Sequence, residues 1–162
     1  MSEQDIDQDA HFLRKVIQPA LLGLMDGSVS TLAPLFATAF ATHDTHISFL
    51  IGTAAATGAG ISMAFAEGLS DDGIVTGRGH PIIRGGITGL TTFFGGIFHT
   101  LPFLLTNLTH ALYLAYFIVG IELIAIAFIR FKYMKMRFWL SVLQVVVGGA
   151  LVFIAGFLIG SS

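Results

Sequence analysis

The chain has 162 residues, 54% of them hydrophobic and only 11% charged, with a formal net charge of −2. Soluble domains carry about 25% charged residues, so the composition excludes an ordinary soluble domain, and the near-neutral balance offers no basic face for nucleic acid. Cysteine is absent, which excludes disulfides, thiolate metal sites and cysteine nucleophiles.

The chain opens on an acidic stretch, Glu3, Asp5, Asp7 and Asp9 followed by His11. A secretory signal is basic at this point, so membrane insertion is expected to be driven by the later apolar segments. The stretch is either a solvated tail or a weak metal collector. Residues 1–15 are read as a short acidic cytoplasmic tail and 16–162 as one membrane domain. At about 20 residues per span, the apolar segments 16–41, 47–69, 83–105, 111–129 and 138–159 predict five transmembrane helices. Lipid cannot satisfy backbone polar groups, so the fold class is all-α and polytopic.

The first span contains Asp26 within Leu22-Gly-Leu-Met-Asp-Gly-Ser-Val-Ser-Thr-Leu-Ala-Pro34. A carboxylate at mid-span costs about 2.5–3.5 kcal/mol on insertion scales, which makes it a functional candidate by default. No basic residue lies within ten positions of it, so a structural partner has to come from another helix, such as Arg84 or Arg130. Gly23, Gly27 and Pro34 predict a kinked or locally opened helix, with Ser28, Ser30 and Thr31 able to bond freed backbone groups.

On the second span Met63, Glu67 and Asp71 recur every fourth residue and line one helical face. Thioether and carboxylates together suit a borderline transition metal better than Mg²⁺ or Ca²⁺. Against this, Met63 is also an ordinary core filler, Glu67 can snorkel, and Asp71 with Asp72 can form a solvated helix end. Gly77-Arg-Gly-His-Pro81 reads as a turn and not a phosphate loop, because no strand precedes it.

The third span carries His99, which can relay protons, ligate metal or sit hydrogen-bonded in the core. Glu122, well within the fourth span, either accepts protons or pairs with a cation such as Arg84. His43, Asp44, His46 and His110 occupy the gaps that flank the second and fourth spans, as polar loop ends or as receivers of an exiting ion. Asp26–Pro34 and Gly95-Gly-Ile-Phe-His-Thr-Leu-Pro102 share a faint likeness and would run in the same direction. Small residues at four-residue spacing, Gly52/Ala56/Gly60, Gly85/Gly89 and Gly156/Gly160, predict close helix packing within the bundle or at a dimer seam.

The eight basic residues fall in three places: Arg14 and Lys15; Arg78 and Arg84; Arg130, Lys132, Lys135 and Arg137. With five spans all three lie on one side, which puts the N-terminus in the cytoplasm and the C-terminus outside. No nucleophile–base pair or cofactor motif is visible, so a transporter is expected and not an enzyme, with no permanently bound cofactor.

Leu24-Met-Asp-Gly-Ser-Val-Ser-Thr-Leu-Ala-Pro34, Gly58-Ala-Gly-Ile-Ser-Met-Ala-Phe-Ala-Glu67 and Leu69-Ser-Asp-Asp-Gly73 with Gly77-Arg-Gly-His-Pro81 resemble the membrane domain of the bacterial membrane-bound ferritins, in the vacuolar iron transporter family. The resemblance runs from about Val16 to Ser162. It implies five helices per subunit, a homodimer with the ion path between subunits, and export of Fe²⁺ (or Mn²⁺) from the cytosol in exchange for protons across a bacterial inner membrane. It maps the path-lining residues onto Asp26, Met63 and Glu67. Asp71, His99 and Glu122 remain accessory candidates for protons or metal. Two departures stand out: the acidic cytosolic domain of plant-type members is replaced by Ser70–Ile82, and only about fifteen residues precede the first span where membrane-bound ferritins carry a ferritin-like domain. The chain is therefore read as a stand-alone transporter or as the membrane part of a longer protein. Its rivals are a membrane anchor or metal-binding subunit for a ferritin-like partner, and a passive cation channel. The residues do not rank Fe²⁺ against Mn²⁺, Co²⁺ or Zn²⁺.

Overall fold

The computed structural model describes residue 8 and residues 10–70, 72–74 and 76–162. Among the described residues the chain is helical, without a strand. A π-helical turn, Leu13–Ile17, leads into α1 (Gln18–Ser30) and α2 (Leu32–Thr42). These are followed by α3 (Thr45–Gly68), α4 (Pro81–Ile97), a 3₁₀ turn Leu101–Leu104, α5 (Leu108–Met134) and α6 (Phe138–Gly160). Among the described residues four helical stretches are long and apolar enough to cross a membrane: Ala10–Thr42, Thr45–Gly68, Leu108–Met134 and Phe138–Gly160.

The first stretch carries the expected interruption, at Thr31 between α1 and α2. Pro34 has no amide for the Ser30 carbonyl and its ring crowds that oxygen, so the helix must open one turn earlier. The Thr31 amide turns to the Val29 carbonyl, while the Thr31 hydroxyl reaches the Gly27 carbonyl at 2.8 Å. The segment expected over 83–105 is shorter as a helix than its hydrophobicity suggests. α4 has 17 residues, about 25 Å of rise, and gives way at Phe98 to turns and the 3₁₀ segment. Gly95 and Gly96 are weak helix formers, and Pro102 restrains the residue before it. The fourth segment runs longer, because Arg130 and Lys132 continue α5 until Lys135 closes it in the left-handed conformation (φ 53°). The short connections are built from caps: Asp44 accepts from the Ile47 amide at 2.9 Å, Asn107 from His110 at 3.0 Å, and Pro81 starts α4 behind His80.

α4 is the centre of the bundle's polar half. Its contacts with α1 follow one register: a methyl group at Gly23 would collide with the Thr88 carbonyl and Thr91 hydroxyl, and one at Gly27 with the Thr92 backbone. The numbers rise together, so α1 and α4 are parallel. On α4's other flank Gly52 meets Thr100, Ala56 meets Gly96, a methyl group at Gly60 would come within 2.9 Å of the Gly89 carbonyl, and Gly68 lies against Gly85. These numbers run in opposition, so α3 is antiparallel to α4. The third small-residue pair, Gly156 and Gly160, packs on the backbone of Ala33 and Ala37 in α2. All three small-residue motifs thus pack within the chain.

The apolar half of the core lies between α2, α5 and α6. Leu32, Leu35, Phe36 and Ala39 pack against Phe103, Ala111 and Ala115, and Phe36 meets Phe153 edge-to-face at 5.2 Å. Leu21, Ile126 and Val145 extend this contact along α1. On the far side of α4, Ile83, Leu90 and Phe94 are exposed, as befits a surface turned to lipid or to another chain.

Gly27→Ala forces its new methyl into the Thr92 backbone and is expected to lower stability by about 1–3 kcal/mol. Gly58→Ala, whose methyl meets open space, is expected to be neutral or stabilising by up to about 1 kcal/mol. Thermal unfolding of both variants in detergent checks this; equal stability would mean that α1 and α4 do not approach so closely.

Candidate functional site

Asp26 lies on α1, three residues after Gly23 and one before Gly27. At about 100° per residue, it stands on the flank of the α4-facing stripe and points away from Leu21 and Met25, which pack toward α5 and α6. It is half-buried. Among the described residues it makes no hydrogen bond and no ion pair, and neither Arg84 nor Arg130 reaches it: Arg84 binds Glu67 and Arg130 binds Gln144 at 2.9 Å.

Met63 lies on α3, three residues after Gly60, and is likewise half-buried on the flank of its seam with α4. α4 serves as a common ruler for both. Asp26 stands level with Thr91–Thr92, and Met63 level with Gly85–Gly89, an offset of about one helical turn. Asp26 and Met63 therefore occupy one zone of the bundle, with Met63 nearer the end where α4 begins.

Glu67, the next rung, is placed differently from its sequence surroundings. It is 6% exposed, and one carboxylate oxygen is held by Arg84 Nε at 2.7 Å and by an Arg78 terminal nitrogen at 2.5 Å. Arg84 also donates to the Glu67 carbonyl and the Ser70 hydroxyl, both at 3.0 Å. Arg84 is itself 1% exposed. Sequence proximity gives Glu67 no basic neighbour. The loop that returns Arg78 and the first turn of α4 that carries Arg84 supply two. Glu67 is in this arrangement the anion of a structural clamp that closes the α3–α4 connection. The same loop rests on the N-terminal turn: Gly77 and Gly79, both at positive φ, lie against Arg14 and Lys15. Asp71, with Glu3, Asp5, Asp7 and Asp9, lies outside the described residues.

His99 and Glu122 come together. His99 Nδ1 lies 3.0 Å from Glu122 Oε2, and His99 Nε2 lies 2.7 Å from the Thr31 hydroxyl. His99 and Thr31 are fully buried and Glu122 is 7% exposed. The faint likeness between the Asp26 and Gly95 segments acquires a structural counterpart here. The two parallel helices break at the same height, and the breaks meet through Thr31 and His99. Sequence reasoning weighed His99 and Glu122 singly and missed the pairing and Thr31's part in it. The signal available was a threonine three residues before a proline in a polar apolar-flanked stretch, which marks a hydroxyl that bonds a freed carbonyl of its own helix and still has lone pairs for a neighbour.

Among the exit-side candidates, Asp44 is engaged as the α3 cap, while His43, His46 and His110 are exposed, as is His11 near the N-terminus. Among the described residues no three histidine, aspartate or glutamate side chains converge. Comparison with family models, curated proteins and solved structures finds no match.

Glu67→Ala leaves buried Arg84 without its carboxylate and is expected to cost about 3–5 kcal/mol. A thermal melt of the purified variant that coincides with the parent's would contradict the clamp.

Proposed function

We propose that the chain is a proton-coupled exporter of a divalent transition metal, Fe²⁺ first and Mn²⁺ next, of the vacuolar iron transporter type. In this reading α4 and the turns after it form a fifth crossing. The N-terminus is then cytoplasmic and the C-terminus outside, in a bacterial inner membrane. The packing of Gly77 and Gly79 on Arg14 and Lys15 supports this, since it joins two of the three basic clusters at one end of the bundle.

The observation that carries the proposal is Asp26, a half-buried carboxylate without a partner among the described residues, inside a helix long enough to span a membrane. A structural acid there needs a cation or a set of donors; a transport acid needs to be free. Met63 in the same zone adds a soft ligand that favours a transition metal over Mg²⁺. One carboxylate and one thioether leave most of a metal's coordination to be filled, and a second copy of the chain would bring another Asp26 and Met63. Two carboxylates facing one another cannot both stay ionised without a cation. Binding Fe²⁺ displaces protons, and protons arriving from outside displace Fe²⁺. Glu67, neutralised by two arginines, contributes to this path by shaping its cytosolic mouth.

Metal flux into proteoliposomes tests the proposal. Asp26→Asn is expected to abolish Fe²⁺ and Mn²⁺ flux while the protein still elutes as the parental assembly. Undiminished flux in that variant defeats it, and a parent that moves no metal supports the anchor reading instead.

A further inference from the structure

With the Thr31 hydroxyl turned to the Gly27 carbonyl, the Thr31–His99–Glu122 chain has few ways to place its protons. A threonine hydroxyl has one proton to give, and Thr31 gives it to the Gly27 carbonyl. His99 Nε2, 2.7 Å from the same oxygen, must then donate, so Nε2 carries hydrogen. Nδ1 faces Glu122 Oε2 at 3.0 Å, and a hydrogen bond there needs a proton on one of the two atoms. On Nδ1 it makes an imidazolium beside a carboxylate; on Oε2 it makes a neutral pair. Either way the pair holds one proton more than a neutral imidazole beside a carboxylate. Without that proton, and with the Thr31 hydroxyl still turned to Gly27, two lone pairs face each other in a site where His99 is fully buried.

Among the described residues no other charge neutralises the pair. α2 and α6 carry no ionisable side chain. α3 has only His46 and Glu67, at its two ends, and Arg84 of α4 is bound to Glu67. α1 contributes only Asp26, five residues before Thr31. On α5, Tyr116 stacks on Phe36, His110 and Tyr113 lie toward one end, and Arg130, Lys132 and Tyr133 toward the other. The second Glu122 oxygen, Oε1, is buried without a hydrogen-bond partner among the described residues. Glu122 also lines an open, otherwise apolar cavity of about 480 Å³ formed with Phe98, Leu101, Leu104 and Leu114.

We propose that His99 and Glu122 form the proton-carrying site of the exchange, loaded with one proton in this structure, and that Thr31 links it to the helix break beside Asp26. The word exchange rests on the metal reading of Asp26; the proton site does not. When the proton leaves, His99 keeps hydrogen on Nδ1 toward the carboxylate and turns a bare Nε2 to Thr31. The threonine hydroxyl proton then moves from the Gly27 carbonyl to Nε2. Gly27 loses a donor that stands in for its missing helical amide, and Gly27 is the residue next to Asp26. Protonation toward the outer end is thereby felt one peptide away from the metal carboxylate, without a shared ligand.

Two readouts on the full chain in lipid bilayers test this. ¹⁵N NMR of His99, assigned by its loss in His99→Gln, should show a protonated Nε2 and an Nδ1 signal that moves in Glu122→Gln; a bare Nε2 at neutral pH overturns the proposal. In proteoliposomes, an inward proton gradient should raise Mn²⁺ flux in the parent but no longer in Glu122→Gln. Thr31→Val should lose the same stimulation while keeping the NMR signature, which decides the matter if Glu122→Gln fails to assemble. Full gradient stimulation in either variant overturns the coupling, and loss of Mn²⁺ binding in Glu122→Gln overturns the separation of the two sites. A parent that moves no Mn²⁺ removes the metal reading of Asp26, and the NMR result then judges the proton site alone.

Discussion

The close approach of α4 to both α1 and α3 is the constraint on which the rest of the molecule depends. A span in lipid gains little from burying apolar surface against another span, so helices hold together where small residues let backbones touch. Here Gly23 and Gly27 meet the Thr88–Thr92 backbone, and Gly60, Ala64 and Gly68 meet Gly85 and Gly89. This contact sets α4 as the ruler along which every polar group is positioned. Glu67 and Arg84 close one end, Asp26 and Met63 occupy the middle zone, and Thr31, His99 and Glu122 follow beyond. The apolar aromatic core of α2, α5 and α6 backs this arrangement without supplying chemistry to it.

Within that frame the ionisable groups divide by how fully each is answered. Glu67 is held by two guanidinium groups and Glu122 by a histidine, whereas Asp26 is held by none among the described residues. A buried charge that is paired fixes structure; one left free is available to a passing ion. Asp26 and Thr31, whose hydroxyl meets His99, lie five residues apart along the first helix, roughly 7–8 Å of rise, joined by the stretch whose hydrogen bonding Pro34 disrupts. A weak point in a helix is costly, and its place between the two groups gives that cost a use.

Much of the fold was legible in the sequence because lipid imposes simple rules. Apolar length marked the helices, small-residue spacing marked the seams, and Pro34 with its glycines marked the break. The helical extent of the third segment was not legible, because hydropathy continues through Leu101–Leu105 while Gly95, Gly96 and Pro102 end the regular helix. Asp26 and Met63 stood out singly by residue type. The partners of Glu67, His99 and Glu122 did not, since each comes from another element of the fold: Arg78 and Arg84 lie 11 and 17 residues on from Glu67, Glu122 lies 23 residues from His99, and Thr31 lies 68 from it. Register between helices decides such pairs, and register is a property of three-dimensional packing that no single segment encodes.

The central claim is that Asp26 is a metal-binding carboxylate that gives up protons to take a cation. Calorimetric titration of Mn²⁺ into the purified full chain, repeated in buffers of different ionisation enthalpy, measures binding and proton release together. The account predicts saturable binding that releases protons in the parent protein and is lost in Asp26→Asn. Binding of unchanged affinity in Asp26→Asn, or binding that releases no proton, would contradict it.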